Sequence, residues 1–244
     1  MTILQELLEK KEVVLTDGSR GPLHSSISKE EDEFLQRLIA STRPENSLEV
    51  GLAFGVSALF ICEAMVEVGG KRHIVIDPQQ THSEHWQGIG LRHLQEAGYG
   101  GMVKHYAVES QAALPQIVAE GAKIDFAFVD GNHTFDHTLA DFFYIDKLPR
   151  VGGVVVFDDA SFPSVHRGCR YVATNRSYRV CGQVGGRPRG SMLEWIARWP
   201  LARTVLANRF VQPDEAFGFH RDSSMVAFEK VGEDARRWDF DQEF

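Results

Sequence analysis

Five acidic residues in the middle of this 244-residue chain each follow a short apolar run: Asp77, Glu109, Asp130, Asp158 and Asp159. The apolar runs are typical of strands in a parallel sheet, and parallel strands place their carboxyl ends on one edge. Adjacent strands lie about 4.8 Å apart, so carboxylates after neighbouring strands can meet at one point. Such like charges favour a neutralising cation, and an all-oxygen ligand set favours a hard divalent ion such as Mg²⁺.

The acids after the last two of these runs have the most informative surroundings. Asp130 opens the sequence Asp-Gly-Asn-His, which ends at His133, and Asp158 and Asp159 end the sequence GGVVVFDD. An imidazole titrates near pH 6.5 and can accept a proton at neutral pH. Two other interpretations stay open. The paired aspartates could cap a helix expected after Ser161, and His133 could cap or pack at the start of the next helix.

An earlier strand-turn-helix segment carries the pattern Glu-x-Gly-x-x-x-Gly-x-Ser, formed by Glu49, Gly51, Gly55 and Ser57. A glycine turn that opens a helix presents unpaired N–H groups and partial positive charge, which suits a nucleotide. The dinucleotide pattern needs a glycine where Ala53 stands, and a phosphate loop needs a lysine that is absent. The motif is thus compatible with another nucleoside cofactor, or with a purely structural corner.

Asp77 ends the next strand, where an acidic side chain in dinucleotide enzymes accepts the ribose hydroxyls. It also precedes Pro78, so it could simply begin a turn.

Strands and helices alternate from residue 47 onward. Predicted strands span 47–50, 72–77, 103–108, 124–130 and 151–157, and predicted helices begin at 56 and span 83–97, 111–120 and 134–147. This alternation predicts an α/β fold with a parallel sheet covered on both faces.

The two ends of the chain are predicted to add to this sheet. Residues 1–46 form an N-terminal helical cap, with a helix over 1–12, a loop over 16–22 and a capping box at Ser28. This cap covers a sheet edge or the mouth of the site, or forms a homodimer interface. Residues 47–244 form the main domain, with late strands over 178–184 and 224–231. The intervening segment, 185–221, is interpreted as a lid, a substrate wall or a dimerisation arm.

Composition excludes several classes of protein. Hydrophobic residues make up 43% and charged residues 25% of the chain, which is ordinary for a globular protein. The net charge of −8 argues against a nucleic-acid partner. No apolar stretch predicts a membrane span or a signal peptide, and three widely spaced cysteines are typical of a reduced, cytoplasmic protein.

The glycine turn and the two acidic motifs together resemble the class I S-adenosylmethionine-dependent methyltransferases. Within that class, Asp130 to His133 and Gly152 to Asp159 resemble the motifs of cation-dependent O-methyltransferases of the catechol, caffeoyl-CoA and macrolide-sugar types. The resemblance covers roughly residues 25 to 160. It implies a Rossmann-like fold with a mostly parallel seven-stranded sheet, an antiparallel last strand and helices on both faces.

The resemblance also implies roles for the motif residues. Asp130, Asp158 and Asp159 would bind the metal, and His133 would be the general base. The cofactor site would include Glu49, Gly51, Gly55, Ser57, Asp77, Glu109, Ser110 and Asp130. Ser110 could equally be the N-cap of its helix. The catechol enzymes have a lysine where His133 stands and an asparagine where Asp159 stands, so the acceptor class stays open.

The expected function is methyl transfer from S-adenosylmethionine to a hydroxyl of a small molecule, assisted by Mg²⁺. Two rivals remain: an NAD-dependent oxidoreductase, and a non-catalytic cofactor-binding protein of the same fold. A nucleic-acid or protein amino-methyltransferase is disfavoured, because Asp-Gly-Asn-His stands where such enzymes place Asn/Asp-Pro-Pro-Tyr.

Overall fold

The computed structural model describes residues 2–24, 26–82, 86–186, 214–240 and 242–244. The helices are α1 (Ile3–Lys10), α2 (Lys29–Thr42), α3 (Val56–Val68), α4 (Gln79–His82), α5 (Ile89–Glu96), α6 (Ser110–Ala119), α7 (Phe135–Ile145) and α8 (Pro163–Asn175). The strands are β1 (Glu12–Val14), β2 (Arg20–Pro22), β3 (Asn46–Val50), β4 (Arg72–Ile76), β5 (Val103–Tyr106), β6 (Ile124–Val129), β7 (Pro149–Phe157), β8 (Tyr178–Gly185) and β9 (Ser223–Lys230). A 3₁₀ turn, Asp214–Phe217, precedes β9.

Seven strands form one sheet in the order β5-β4-β3-β6-β7-β9-β8. The pairs from β5 to β7 are parallel, and β9 is antiparallel to both of its neighbours. Apolar side chains of α1, α2, α3 and α5 pack on one face of the sheet, and those of α6, α7 and α8 pack on the other. This architecture confirms the predicted fold class.

The strand register brings the chemically interesting residues to one edge. The last residues of β3, β4, β6 and β7 are paired with one another across the sheet. Gly51, Asp77, Asp130 and Asp158 each follow one of these paired residues. The carboxyl edge therefore holds the glycine turn and the acids side by side.

Local sequence signals explain why the helix beside this edge begins where it does. Ser28 accepts a hydrogen bond from the Glu31 backbone N–H, and the Glu31 side chain accepts one from the Ser28 N–H. This capping box fixes the start of α2. The apolar face of α2 then packs on the sheet through Phe34, Leu35 and Ile39, which are buried.

Two sequence predictions were wrong in detail. The predicted loop over 16–22 contains half of a small antiparallel hairpin, in which β1 pairs with β2. Three-residue strands carry too little pattern to be recognised. The predicted helix over 83–97 is not continuous: α5 begins only at Ile89, after Gly88, whose φ of 71° lies in the left-handed region.

Most of the segment 185–221, interpreted as a lid, a substrate wall or a dimerisation arm, lies outside the described residues. Within the part of the chain that the structure describes, no helix is both long and apolar enough to cross a membrane.

Candidate active site

A cavity of about 300 Å³ opens at the carboxyl edge of the sheet. Its walls come from the segments that follow β3, β4, β5 and β6. The lining residues are Val50 to Ala53, Ile76 to Gln79, Trp86, Glu109, Ser110 and Asp130 to His133. A cavity of this size lies at the lower end of the range for small-molecule and cofactor sites.

The glycine turn forms one wall, and Gly51 allows β3 and β6 to approach each other there. Gly51 has a φ of 89°, and a Cβ atom at this position would lie 2.0 Å from the Asp130 carbonyl oxygen. Only glycine fits such an approach. Gly55 has a φ of 80° and is the N-cap of α3, but it packs against Gly90 and does not line the cavity.

Glu49 and Ser57, predicted as cofactor contacts, lie beneath the turn. The Ser57 hydroxyl donates to Glu49 Oε1 at 2.5 Å, and Glu49 Oε2 lies 3.3 Å from Nε2 of His73. Both residues are buried, and neither lines the cavity. In this structure they connect the end of β3 to the first turn of α3, which supports the glycine turn from below.

Asp77 lines the cavity next to the glycine turn and is hydrogen-bonded to it. Its Oδ2 accepts the backbone N–H groups of Leu52 at 3.0 Å and Ala53 at 3.1 Å. Its Oδ1 accepts the Gln79 N–H at 2.7 Å, so the turn-forming role is present as well. One carboxylate thus joins the ends of β3 and β4.

Glu109 and Ser110 lie at the far end of the cavity, where α6 begins. Glu109 occupies the N-cap position and makes no side-chain capping bond, and Ser110 is the first helical residue. The suggestion that Ser110 is the N-cap was therefore wrong. Behind Ser110 lies Asp141 of α7, a carboxylic acid that is 2% exposed and whose Oδ1 has no hydrogen-bond partner within the described segments.

The acidic cluster borders the cavity at the ends of β6 and β7. Ligand atoms of Asp130, His133 and Asp159 lie within 4.8 Å of one another. Nε2 of His133 is 3.3 Å from Asp130 Oδ1 and 3.0 Å from Asp159 Oδ2. All three side chains are between 30% and 39% exposed, so the cluster is accessible from the cavity mouth.

The pKa values of His133 and Asp130 are both raised, for different reasons. Hydrogen bonds to Asp130 and then to Asp159 raise the pKa of His133 to about 10, so its imidazole is protonated at neutral pH in this arrangement. Burial raises the pKa of Asp130 to about 6, against the opposing effect of His133. The imidazolium therefore supplies the positive charge that two facing carboxylates need.

Asp158 differs from the other two predicted metal ligands. Its backbone N–H donates to Val129 O at 3.0 Å, which fixes it beside the end of β6. Burial, and next the negative charge of Asp130, raise the pKa of Asp158 well above its usual range. Its side chain is nevertheless outside the group whose ligand atoms converge within 4.8 Å. His133, assigned as a base, occupies the third place in that group.

The alternative roles of the aspartates and His133 can be checked directly. The N-cap of α8 is Phe162, with no side-chain capping bond, so neither Asp158 nor Asp159 caps this helix through its carboxylate. Asp159 has a φ of 49°, an uncommon value for a residue other than glycine. His133 precedes the N-cap of α7, Thr134, and is neither a cap nor a core residue.

The donor set of this cluster fits a divalent cation. Carboxylate oxygens from two chain segments converge, and a third acid lies close enough for Asp130 to raise its pKa. An oxygen-rich, negatively charged group of this kind suits Mg²⁺ or Mn²⁺ better than a soft metal. The Gly51 cradle and the adjoining cavity likewise fit a nucleoside cofactor.

The seven-stranded, mostly parallel sheet with its antiparallel β9 is a Rossmann-like methyltransferase fold. Residues 48–160 match the family model described as a methyltransferase domain. This match supports the resemblance to methyltransferases over that stretch of the chain.

Individual relatives agree with this classification. The chain is 29% identical over 132 residues to tapetum-specific methyltransferase 1 of Arabidopsis thaliana, covering 53% of each chain. It is 28% identical over 137 residues to a caffeoyl-CoA O-methyltransferase of Populus kitakamiensis, covering 55% of this chain and 54% of that protein. Matches to the curated relatives span between 51% and 62% of their lengths.

A solved structure supports the fold over a longer stretch. An O-methyltransferase from Bacillus cereus, crystallised in complex with S-adenosylhomocysteine, superposes with a TM-score of 0.61 at 20% identity. The match covers 93% of this chain and 90% of the Bacillus protein.

Several residues of the site were not predicted from the sequence. Trp86 and Asn132 line the cavity, and Gln80 lies behind Asp77. Asn132 lies inside a motif that had been singled out, so its position already suggested it. Trp86 had no such signal, because it fell in a segment predicted to be an uninterrupted helix.

Proposed function

We propose that this protein transfers a methyl group from S-adenosylmethionine to a hydroxyl group of a small molecule. The observation that carries the proposal is the continuity of the cavity with the acidic cluster: Asp130 and His133 belong to both. A cofactor in the cavity and an acceptor at the cluster would therefore meet at these two residues.

We assign the nucleoside part of the cofactor to the cavity. Gly51 gives close backbone approach, Asp77 faces the expected ribose, and Glu109 and Ser110 border the expected adenine. Glu49, Gly55 and Ser57 act from outside the cavity by holding the turn in place. S-adenosylmethionine supplies an electrophilic methyl group on a sulfonium, which an ionised hydroxyl displaces when the two are held in line.

We assign a divalent cation, most simply Mg²⁺, to Asp130, Asp159 and the neighbouring Asp158. Such an ion would lower the pKa of a hydroxyl bound to it. His133 is the residue whose Nε2 can hold the acceptor's proton at this point of the cavity. This role requires the loss of its two hydrogen bonds to carboxylates, which would return the pKa of His133 toward 6.5. The acceptor class stays open among phenols, sugars and polyketides.

The activity is tested with methyl-labelled S-adenosylmethionine and a panel of phenols, sugars and polyketides. We expect label in at least one hydroxyl acceptor, with loss on addition of EDTA and recovery with Mg²⁺. Asp159→Asn should lower this activity more than Asp136→Asn, which changes an exposed aspartate outside the cluster. Absence of transfer to every acceptor, with bound cofactor, would favour the non-catalytic alternative.

A further inference from the structure

A buried glutamine behind the cavity organises the wall on which the ribose is expected. Gln80 is 4% exposed and belongs to the short helix α4. Its Nε2 donates to the Ala53 carbonyl at 2.7 Å and to Asp77 Oδ2 at 3.1 Å. Both partners are acceptors only, so the nitrogen of the amide must face them. The Gln80 amide thus joins the glycine turn to the acid.

The two oxygens of Asp77 are used very differently. Oδ2 accepts three N–H groups, from Leu52, Ala53 and Gln80. A carboxylate oxygen has two lone pairs, so Oδ2 is saturated. Among the described residues, only the Gln79 N–H donates to Oδ1, which leaves one of its two lone pairs unused. Asp77 lines the cavity, so this lone pair is available to a donor group bound there.

Gln80 helps to hold an unusual backbone conformation at Ala53. Ala53 has a φ of 48°, in the left-handed region that residues with a side chain rarely adopt. Its N–H is held by Asp77 and its carbonyl by Gln80. Both hydrogen bonds fix the peptide groups on either side of this residue. The turn therefore needs the glutamine to keep the geometry that Asp77 requires.

We propose that Gln80 is a positioning residue that commits Asp77 Oδ2 to the glycine turn and leaves Oδ1 for a ribose hydroxyl of the cofactor. The residue acts through Asp77 and Ala53 and does not itself line the cavity. This assignment rests on the proposed function, since it presumes a ribose in the cavity. Its consequence is specific: discrimination between ribose and deoxyribose cofactors depends on Gln80.

The test measures binding by calorimetry with S-adenosylhomocysteine and with its 2′-deoxy and 3′-deoxy analogues. In the native protein we expect the removal of one of these hydroxyls to weaken binding by about tenfold, the size of one charge-assisted hydrogen bond. In Gln80→Met, which keeps the side-chain volume but loses the donor, that penalty should fall below about threefold. Gln80→Glu, which places an acceptor against two acceptors, should weaken binding of S-adenosylhomocysteine itself by at least about tenfold.

Gln36→Met is the matched control. Gln36 also donates from Nε2 to an aspartate, Asp32 Oδ1 at 2.9 Å, but on α2 and outside the cavity. It should leave the ribose penalty unchanged. An unaltered penalty in Gln80→Met would overturn the proposal, as would unfolding of both Gln80 variants while the control folds. Native protein that binds S-adenosylhomocysteine without any ribose penalty would overturn this inference alone, whereas no binding at all would overturn the proposed function.

Discussion

Gly51→Ala is the substitution whose effect follows most directly from the geometry. The added methyl group would lie 2.0 Å from the Asp130 carbonyl oxygen and 2.8 Å from its carbon, both of them backbone atoms. The residue would also have to keep a φ of 89°. The substitution therefore combines backbone strain with a collision that no side-chain movement can relieve.

The two costs can be separated with a second glycine. Gly69 ends α3 with a φ of 84°, and a Cβ atom there would meet nothing within 4 Å. Gly69→Ala should cost only the left-handed backbone term, about 1–2 kcal/mol. Gly51→Ala should cost that term plus overpacking of about 1–3 kcal/mol, so about 2–5 kcal/mol in total. The difference between the variants measures the approach of β3 to β6.

Urea denaturation of both variants gives the two free energies of unfolding, and calorimetry gives their affinity for S-adenosylhomocysteine. We expect Gly51→Ala to be the less stable of the two and to lose at least about tenfold in affinity, because β3 and β6 must separate where the cavity lies. Gly69→Ala should bind like the native protein. Equal losses of stability in the two variants, or unchanged binding in Gly51→Ala, would refute the geometry described here.

Three further predictions concern buried and clustered charges. Burial raises the pKa of Asp141 to about 6, above about 3.9 in an unfolded chain, so folding stability should fall as the pH rises from about 4 to about 6. Asp141→Asn should make that fall smaller in urea titrations at several pH values, because Asp130, whose pKa is also raised, still contributes. Arg176→Met leaves the buried Asp146 carboxylate without its closest cation and should lower the free energy of unfolding by about 3 kcal/mol. Arg37→Met, at an exposed ion pair, should lower it by under about 1 kcal/mol in the same denaturation measurement. Asp159→Ala should weaken Mn²⁺ binding by at least about tenfold in calorimetric titrations, and unchanged affinity would exclude it as a ligand.

Much of the fold was predictable because its signals are local. The apolar runs before Asp77 and Asp130 are buried on both faces of the sheet, and such runs are typical of parallel strands. The Ser28 capping box and the left-handed glycines mark helix ends in the sequence itself. The carboxyl edge then follows from right-handed crossovers, which is why the acids could be placed together in advance.

The parts of the site that were not predictable depend on side-chain direction and on contacts between distant segments. Glu49 lies in a strand that is buried on both faces, so polarity gave no sign that it faces Ser57 and not the cavity. Asp158 and Asp159 are adjacent in sequence, and Asp159 is the one that contacts His133. Only the backbone conformation, which is left-handed at Asp159, distinguishes the two aspartates. The sequence Asp-Pro-Gln-Gln contains two adjacent glutamines. Nothing in it shows that Gln80, and not Gln79, has its side chain behind Asp77.

The most direct measurement is a crystal structure of the protein grown with S-adenosylhomocysteine and Mn²⁺, with anomalous diffraction to locate the metal. We expect a nucleoside in the cavity lined by the glycine turn, Asp77 and Ser110, and an anomalous peak within coordination distance of Asp130 and Asp159. A nucleoside bound elsewhere, or a metal absent from that cluster while His133 still bridges the two carboxylates, would contradict the proposed function.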